Sequence, residues 1–260
     1  MPWISFDLDG TLLDSPMGQV VFKRLRAEFS TPELNAAFRL EYRTRFASSS
    51  PVRAFDWDDI HDTVCTRLGC PFLPRILDIA ATSHWDTALL YPDTLPALEK
   101  LDARGWLLAL GTNGFAKYQH VVLEQYGLVF GASLAPDTTG FVKPQAEFLH
   151  ALRQFDETAL EGLVHVGDLL SHDIACANNA GVRGAWVWRG MPPELQAVAV
   201  HDRPEHPDFR AAVRREWLAE LEQHGAFAGA LTQPKPDIIV AHLLELLLVL
   251  EIPEPARVVH

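Results

Sequence analysis

Two periods divide the apolar positions of this chain. Ile4, Ser5 and Phe6 lie in an apolar run that breaks into Asp7-Leu8-Asp9-Gly10-Thr11, the pattern of a buried strand ending at two carboxylates. From about residue 14 to 91 the apolar residues recur at helical spacing instead. Val20, Val21, Phe22, Leu25 and Phe29 predict one helix face, and Leu34, Phe38, Leu40, Tyr42 and Phe46 predict another. Ser48-Ser49-Ser50-Pro51 and Gly69-Cys70-Pro71 punctuate the stretch, and it contains no convincing strand.

Strands and helices alternate again from Tyr91. Predicted helices cover about 94–104, 115–126, 145–155 and 172–180, the first two closed by Gly105 and Gly127 and the last by Gly181. Predicted strands cover 106–110, 132–134, 163–166 and 185–188, with a turn cluster at 136–140. This order predicts an α/β fold: a doubly wound parallel, Rossmann-like sheet with an inserted α-helical cap. Residues 1–14 and 91–260 would form the core and 15–90 the cap. Between Gly190 and Pro236 the alternation lapses around a helix at about 208–224, which reads as an extra insert within the core. The apolar run at 237–251 reads as a final buried amphipathic helix, too short to span a bilayer.

At 260 residues, 48% hydrophobic and 22% charged, the chain has the composition of a soluble globular protein with a full core. Its net charge of −12 argues against nucleic acid and anionic membranes as partners. A phosphorylated ligand would need local positive charge in that field. Cys65, Cys70 and Cys176 have no zinc-like spacing, which predicts reduced thiols and a cytoplasmic location. No signal peptide is expected, because the strand begins by Trp3.

The chemistry starts at the first strand. Two carboxylates one residue apart on extended backbone point to one side, repel each other, and suit an oxygen-seeking cation such as Mg²⁺. By chance, Asp-x-Asp-Gly-Thr arises in roughly one in a thousand chains of this length, so a bare Asp-Gly turn is the weaker reading. Other candidates are bland when taken singly. Thr112-Asn113-Gly114 alone is a strand-to-helix turn with an N-cap, Lys143 alone is a solvated lysine, and Asp173 alone caps a helix. Together with Asp168 they all fall at the carboxyl ends of predicted strands, where open α/β sheets bind ligands. His201, Asp202, His206 and Asp208 match no common metal spacing and read as a solvated loop.

Taken in chain order, Asp7 with Asp9, Thr112, Lys143-Pro144, and Gly167-Asp168 with Asp173 resemble the motifs of the haloacid dehalogenase-like hydrolases. His165-Val166-Gly167-Asp168 and Ala180-Gly181-Val182 are similar to the phosphoglycolate phosphatase-like branch. The resemblance implies a Mg²⁺-dependent phosphatase acting on a small phosphorylated metabolite, with Asp7 as nucleophile and Asp9 as general acid and base. It implies that Thr112, Asn113, Gly114 and Lys143 bind the phosphate and that Asp7, Asp9, Asp168 and Asp173 serve the metal. Where family members carry a small polar residue after Gly-Asp, this chain has Leu169. A dehalogenase lacks the second acid, which is present here as Asp9. A phosphonate hydrolase requires a cap lysine, and Lys23 is the only one. A phosphosugar mutase and a non-catalytic binding module on the same fold remain as alternatives. Monomer and homodimer are equally compatible with the sequence.

Overall fold

The computed structural model describes residues 1–224 and 232–251; residues 225–231 of the expected insert and 252–260 of the expected core lie outside the described residues. Strand β1 (Trp3–Phe6) opens the chain. A wide helical turn at Met17–Phe22 runs into α1 (Lys23–Glu28), followed by α2 (Pro32–Phe46), α3 (Trp57–Leu68) and α4 (Ile76–Ala81). The sheet elements then alternate: α5 (Thr94–Ala103), β2 (Leu107–Gly111), α6 (Ala116–Tyr126), β3 (Ala132–Leu134), α7 (Pro136–Thr139), α8 (Ala146–His150), β4 (Val164–Gly167), α9 (Ala175–Ala180) and β5 (Arg183–Val187). The chain continues through α10 (Pro193–Gln196) and α11 (Pro207–His224) to β6 (Ile238–Val240).

All six strands are parallel, in the order β3-β2-β1-β4-β5-β6. The chain therefore winds outward from β1 in one direction through β2 and β3, then in the other through β4, β5 and β6. That reversal makes the carboxyl end of β1, between β2 and β4, the switch point where such sheets bind ligands. The strand is all buried because helices cover both faces, which is why it reads as an apolar run rather than an alternation.

Among the described residues, those between β1 and β2 form helices and turns, with only isolated bridges at Leu13. Thr31 caps α2 by accepting from the Leu34 N–H, with Pro32 at the first turn. The expected helix faces are partly right. Val21, Leu25, Leu34 and Phe46 are buried, while Phe29 and Leu40 are exposed, because the α2 stripe runs 34, 38, 42, 46 and Leu40 falls off it. Trp57 stacks on Tyr118 of α6 with ring centroids 4.6 Å apart, so aromatic contact joins this helical stretch to the sheet.

Three sequence expectations change. The turn cluster at 136–140 is the short helix α7, stopped by Gly140. The expected final helix at 237–251 is instead strand β6 followed by a 3₁₀ turn at Leu243–Leu248. A short apolar run carries no helix-or-strand signature, and Ile238-Ile239-Val240 is wholly β-branched, which favours the strand. Finally, the described part of 190–236 is the crossover that joins β5 to β6. Phe209 and Val213 of α11 pack with Leu170, Ile174, Trp186 and Ile239, and the buried Arg203 donates to both oxygens of Glu245.

A buried histidine lies in the helical stretch away from the sheet. His61 of α3 is 6% exposed, packs on Phe38 at 4.3 Å between centroids, and its Nδ1 has no partner. Burial lowers its pKa from 6.5 to about 4. The unfolded chain therefore binds the proton first, so this contribution to stability is full above pH 6.5 and is lost as the pH falls toward 4. A shift of that size corresponds to about 3 kcal/mol. Urea unfolding from pH 7 to pH 4 should show a shallower loss of stability in His61→Leu than in wild type. Parallel curves would contradict the assignment.

Candidate active site

The site forms where four strand ends meet. Asp7 directly follows β1, and its N–H continues the ladder by donating to the Val166 carbonyl at 2.8 Å. The chain must then turn sharply. Gly10 does so at φ +89°, and a Cβ there would collide with the Asp168 carboxylate, so both conformation and space require glycine. Thr11 donates to Asp168 from the same turn at 3.4 Å.

Lys143, on the segment between α7 and α8, is 2% exposed. Its Nζ lies 2.6 Å from Asp7 Oδ1, 2.6 Å from Asp173 Oδ1 and 2.8 Å from the Gly111 carbonyl at the end of β2. Asn113 secures this lysine from the side, accepting from the Lys143 N–H at 2.8 Å and donating to its carbonyl at 3.2 Å. The Asn113 side chain is thus occupied with Lys143. Thr112 is buried after β2 and accepts from the Gly114 N–H at 3.1 Å, shaping the turn into α6.

Asp7, Asp168 and Asp173 each bring a carboxylate oxygen within 4.8 Å of the others. Asp9 stands outside that group, so its carboxylate is not placed with the three that could share a cation. Burial, with repulsion from Asp7 and Asp173, holds Asp168 well above the carboxylate range. Burial likewise raises Asp7, against the pull of Lys143. For Asp173 the attraction of Lys143 and a hydrogen bond from His165 outweigh burial and lower its pKa, while Lys143 itself is held above its usual range by the two carboxylates. Three acids facing one ammonium leave a local excess of negative charge, and an all-oxygen donor set of this kind fits Mg²⁺.

A cavity of about 220 Å³ opens over these groups. It is lined by Asp7, Asp9, Thr112, Asn113, Gly114 and Lys143 from the sheet edge and by Tyr42, Phe55 and Trp57 from the helical stretch. Leu169 and His172 also line it. The Leu169 N–H donates to Asp173 Oδ2 at 3.0 Å, so its backbone orients that acid although its side chain offers no hydrogen bond. His201 and Asp202 pair with each other on the surface, and so do His206 and Asp208. None of the four joins the acidic group.

The model of the family described as haloacid dehalogenase-like hydrolase matches residues 4–187. The chain belongs to this family. A phosphoserine phosphatase from Thermus thermophilus is 38% identical over 210 residues, 78% of this chain and 76% of its own length. A phosphoglycolate phosphatase from Vibrio cholerae is 30% identical over 182 residues, 68% of this chain and 80% of its own. A HAD phosphatase from Thermococcus onnurineus shares the fold at a TM-score of 0.62 and 21% identity, covering 98% of this chain and 100% of that one. With these relatives, this HAD hydrolase falls in the phosphoglycolate phosphatase-like branch.

The sequence reading missed several residues of the hydrolase's site. His165 is fully buried under Asp173, with Nε2 3.3 Å from Oδ1 and Nδ1 3.2 Å from Ser5 Oγ. Their signal was a polar residue inside each of two apolar strands, paired in register across β1 and β4. Gln119 was visible as a polar residue on the apolar face of α6, among Phe115, Tyr118 and Val122. Glu220 left no such signal. From α11 it accepts the N–H groups of Leu170 and Ser171 at 2.9 and 2.7 Å, at the start of the wide helical turn Leu170–Ile174 that carries Asp173 and leads into α9.

Replacing the central ammonium tests this arrangement. In urea unfolding without divalent cations, Lys143→Met should lose about 3–5 kcal/mol, since it strands buried carboxylates. A loss below about 1 kcal/mol, the range of surface pairs, would count against it.

Proposed function

We propose that this HAD hydrolase is a Mg²⁺-dependent phosphatase that cleaves a small phosphate monoester through an aspartyl phosphate on Asp7. The observation that carries the reading is the unequal treatment of the two motif aspartates. Asp7 meets the Lys143 ammonium at 2.6 Å and sits with Asp168 and Asp173, whereas Asp9 has a solvent-shielded Oδ1 with no partner and a pKa raised by burial to about 6. A paired, oriented carboxylate suits a nucleophile, and a carboxyl group in a weakly polar pocket suits a proton donor. The two named relatives, both phosphatases, support the same choice over dehalogenation.

In this reading Asp7 attacks phosphorus while the bond to the leaving oxygen breaks and Asp9 delivers its proton to that oxygen. Water then attacks the aspartyl phosphate, Asp9 takes the proton from it, and the Asp7–phosphorus bond breaks to release phosphate. Lys143 holds Asp7 in line and offsets charge on the phosphoryl oxygens, with Thr112 and the turn into α6 beneath them. Asp7, Asp168 and Asp173 would hold Mg²⁺, which when bound neutralises charge on the transferred group. The helical stretch of 15–90 acts as the cap, its aromatic wall excluding water from the transfer.

The test is hydrolysis of p-nitrophenyl phosphate with and without Mg²⁺. Wild type should turn over only with the metal, Asp7→Asn should be inactive, and Asp9→Asn should lose at least a hundredfold in kcat, the lower range for a lost acid–base group, about 10²–10⁴. No turnover in wild type, or full activity in Asp7→Asn, would defeat the proposal. Isomerised sugar phosphate in place of released phosphate would point to a mutase.

A further inference from the structure

A second cavity, of about 230 Å³, opens among α1, α2 and α3. Among the described residues it is lined only by positions between 22 and 61, none of them at the strand ends. Its interior is apolar, with Phe22, Leu25, Phe38 and Ile60. Tyr42 and Trp57 line both this cavity and the catalytic one, so the two spaces share a wall.

One polar group inside it is unsatisfied. His61 is 6% exposed, lines the cavity, and its Nδ1 has no hydrogen-bond partner. The nearest acids are engaged elsewhere: Asp58 accepts from the Ile76 N–H, and Asp62 pairs with Arg75. Burial keeps the imidazole neutral at pH 7, so Nδ1 either donates or accepts one hydrogen bond. A ligand hydroxyl meets it in either tautomer. Buried polar groups left unsatisfied are costly, so an unpaired nitrogen in an apolar cavity marks where a ligand's polar group belongs.

The charge at this cavity is positive, against the net −12 of the chain. Arg26 and Arg39 line it, and among the described residues no acid does. Other arginines of the helical stretch are committed: Arg24 to Glu28, Arg45 to Glu41 and Asp59, Arg53 to Asp59, and Arg67 to Glu41. Arg26 donates only to the Gly18 carbonyl, at 3.5 Å, and neither it nor Arg39 enters an ion pair among the described residues. Aromatic walls pack on a flat ring, and guanidinium groups bind a carboxylate. A cavity of about 150 Å³ suffices for benzene, so this one holds a ring with a short acidic arm.

We propose that this cavity is a second ligand site for a small aromatic acid. Its ring lies among Phe22, Phe38 and Ile60, its ring hydroxyl meets His61 Nδ1, and its carboxylate meets Arg26 and Arg39. The site uses no catalytic residue and stands apart from the phosphatase reading. An occupant would nevertheless bear on the shared wall. Tyr42 stacks on Phe46 at 5.8 Å between centroids, and Phe46 lies 5.7 Å from His172 of the catalytic cavity.

Ligand-observed NMR titration of the full chain, without divalent cations, tests the site with 4-hydroxyphenylacetate, the matching alcohol tyrosol, and phenylacetate. Wild type should bind 4-hydroxyphenylacetate with a Kd of about 1 mM or tighter, at least fivefold more tightly than either of the others. The double variant Arg26→Gln/Arg39→Gln should raise that Kd at least fivefold, while Arg26→Lys/Arg39→Lys, which keeps the charge, should raise it less than the glutamine pair does. In His61→Phe the acid with the hydroxyl should bind no more than twofold better than phenylacetate. No arginine lines the catalytic cavity among the described residues, so loss of binding in the glutamine variant places the ligand here. Circular dichroism checks folding, and the single substitutions serve if the double variant does not fold. A weaker wild-type affinity, or a smaller change in any of these comparisons, overturns the inference.

Discussion

One buried ammonium holds the site together. Lys143 reaches from the segment after β3 to a carboxylate after β1, another after β4, and a carbonyl at the end of β2. A lysine is almost never buried without charged partners, because desolvating it alone is prohibitive. Here the partners follow or end three different strands, so the lysine is satisfied only in the assembled sheet edge. Asn113 clamps the lysine's backbone at both its N–H and its carbonyl. His165, its Nδ1 paired with Ser5 Oγ, reaches the underside of Asp173 with Nε2. Few of the polar groups in this layer have latitude to move.

The same contact makes the two motif aspartates unequal. Both are pushed up in pKa by burial, so burial alone does not distinguish them. Position does. Asp7 is close to Lys143 and to two further acids, a setting that favours a charged, fixed oxygen when a cation joins them. Asp9 stands apart from that group, and burial favours a held proton there against the opposing pull of the Gln119 amide and of Lys143. A pair that starts as two identical side chains on one strand end is thus suited to opposite tasks in the proposed reaction.

Much of this was legible in the residues. The α/β order, the parallel sheet and the motif positions follow from periodicity and from Gly and Pro punctuation, because those signals are local. Ser5 and His165 were readable only as oddities, since their pairing depends on strand register rather than sequence distance. The run at 237–251 misled for a physical reason. Three buried β-branched residues look apolar in any conformation, and the vacant edge of β5 decided between them. Asp9's distance from the acidic group was equally hidden, because alternation on a strand assumes the strand continues, whereas β1 ends at Phe6.

The segment beyond β5 shows how a non-local contact enters the chemistry. It lies outside the region matched by the family model, and its lapse in alternation gave it the look of an appendage. Yet it supplies the crossover to the sixth strand and carries Glu220 back to the first turn of the helix bearing Asp173. A further carboxylate near three others is unfavourable by itself, and burial with repulsion from Asp173 does raise Glu220. Its two backbone N–H partners sit where the helix dipole is positive, and they offset that cost. The negative charge is tolerated because it is tied to backbone that must not move. Asp173 is consequently fixed from two sides, by Lys143 at its carboxylate and by α11 at its helix start, and the second of these depends on chain that sequence motifs do not mark.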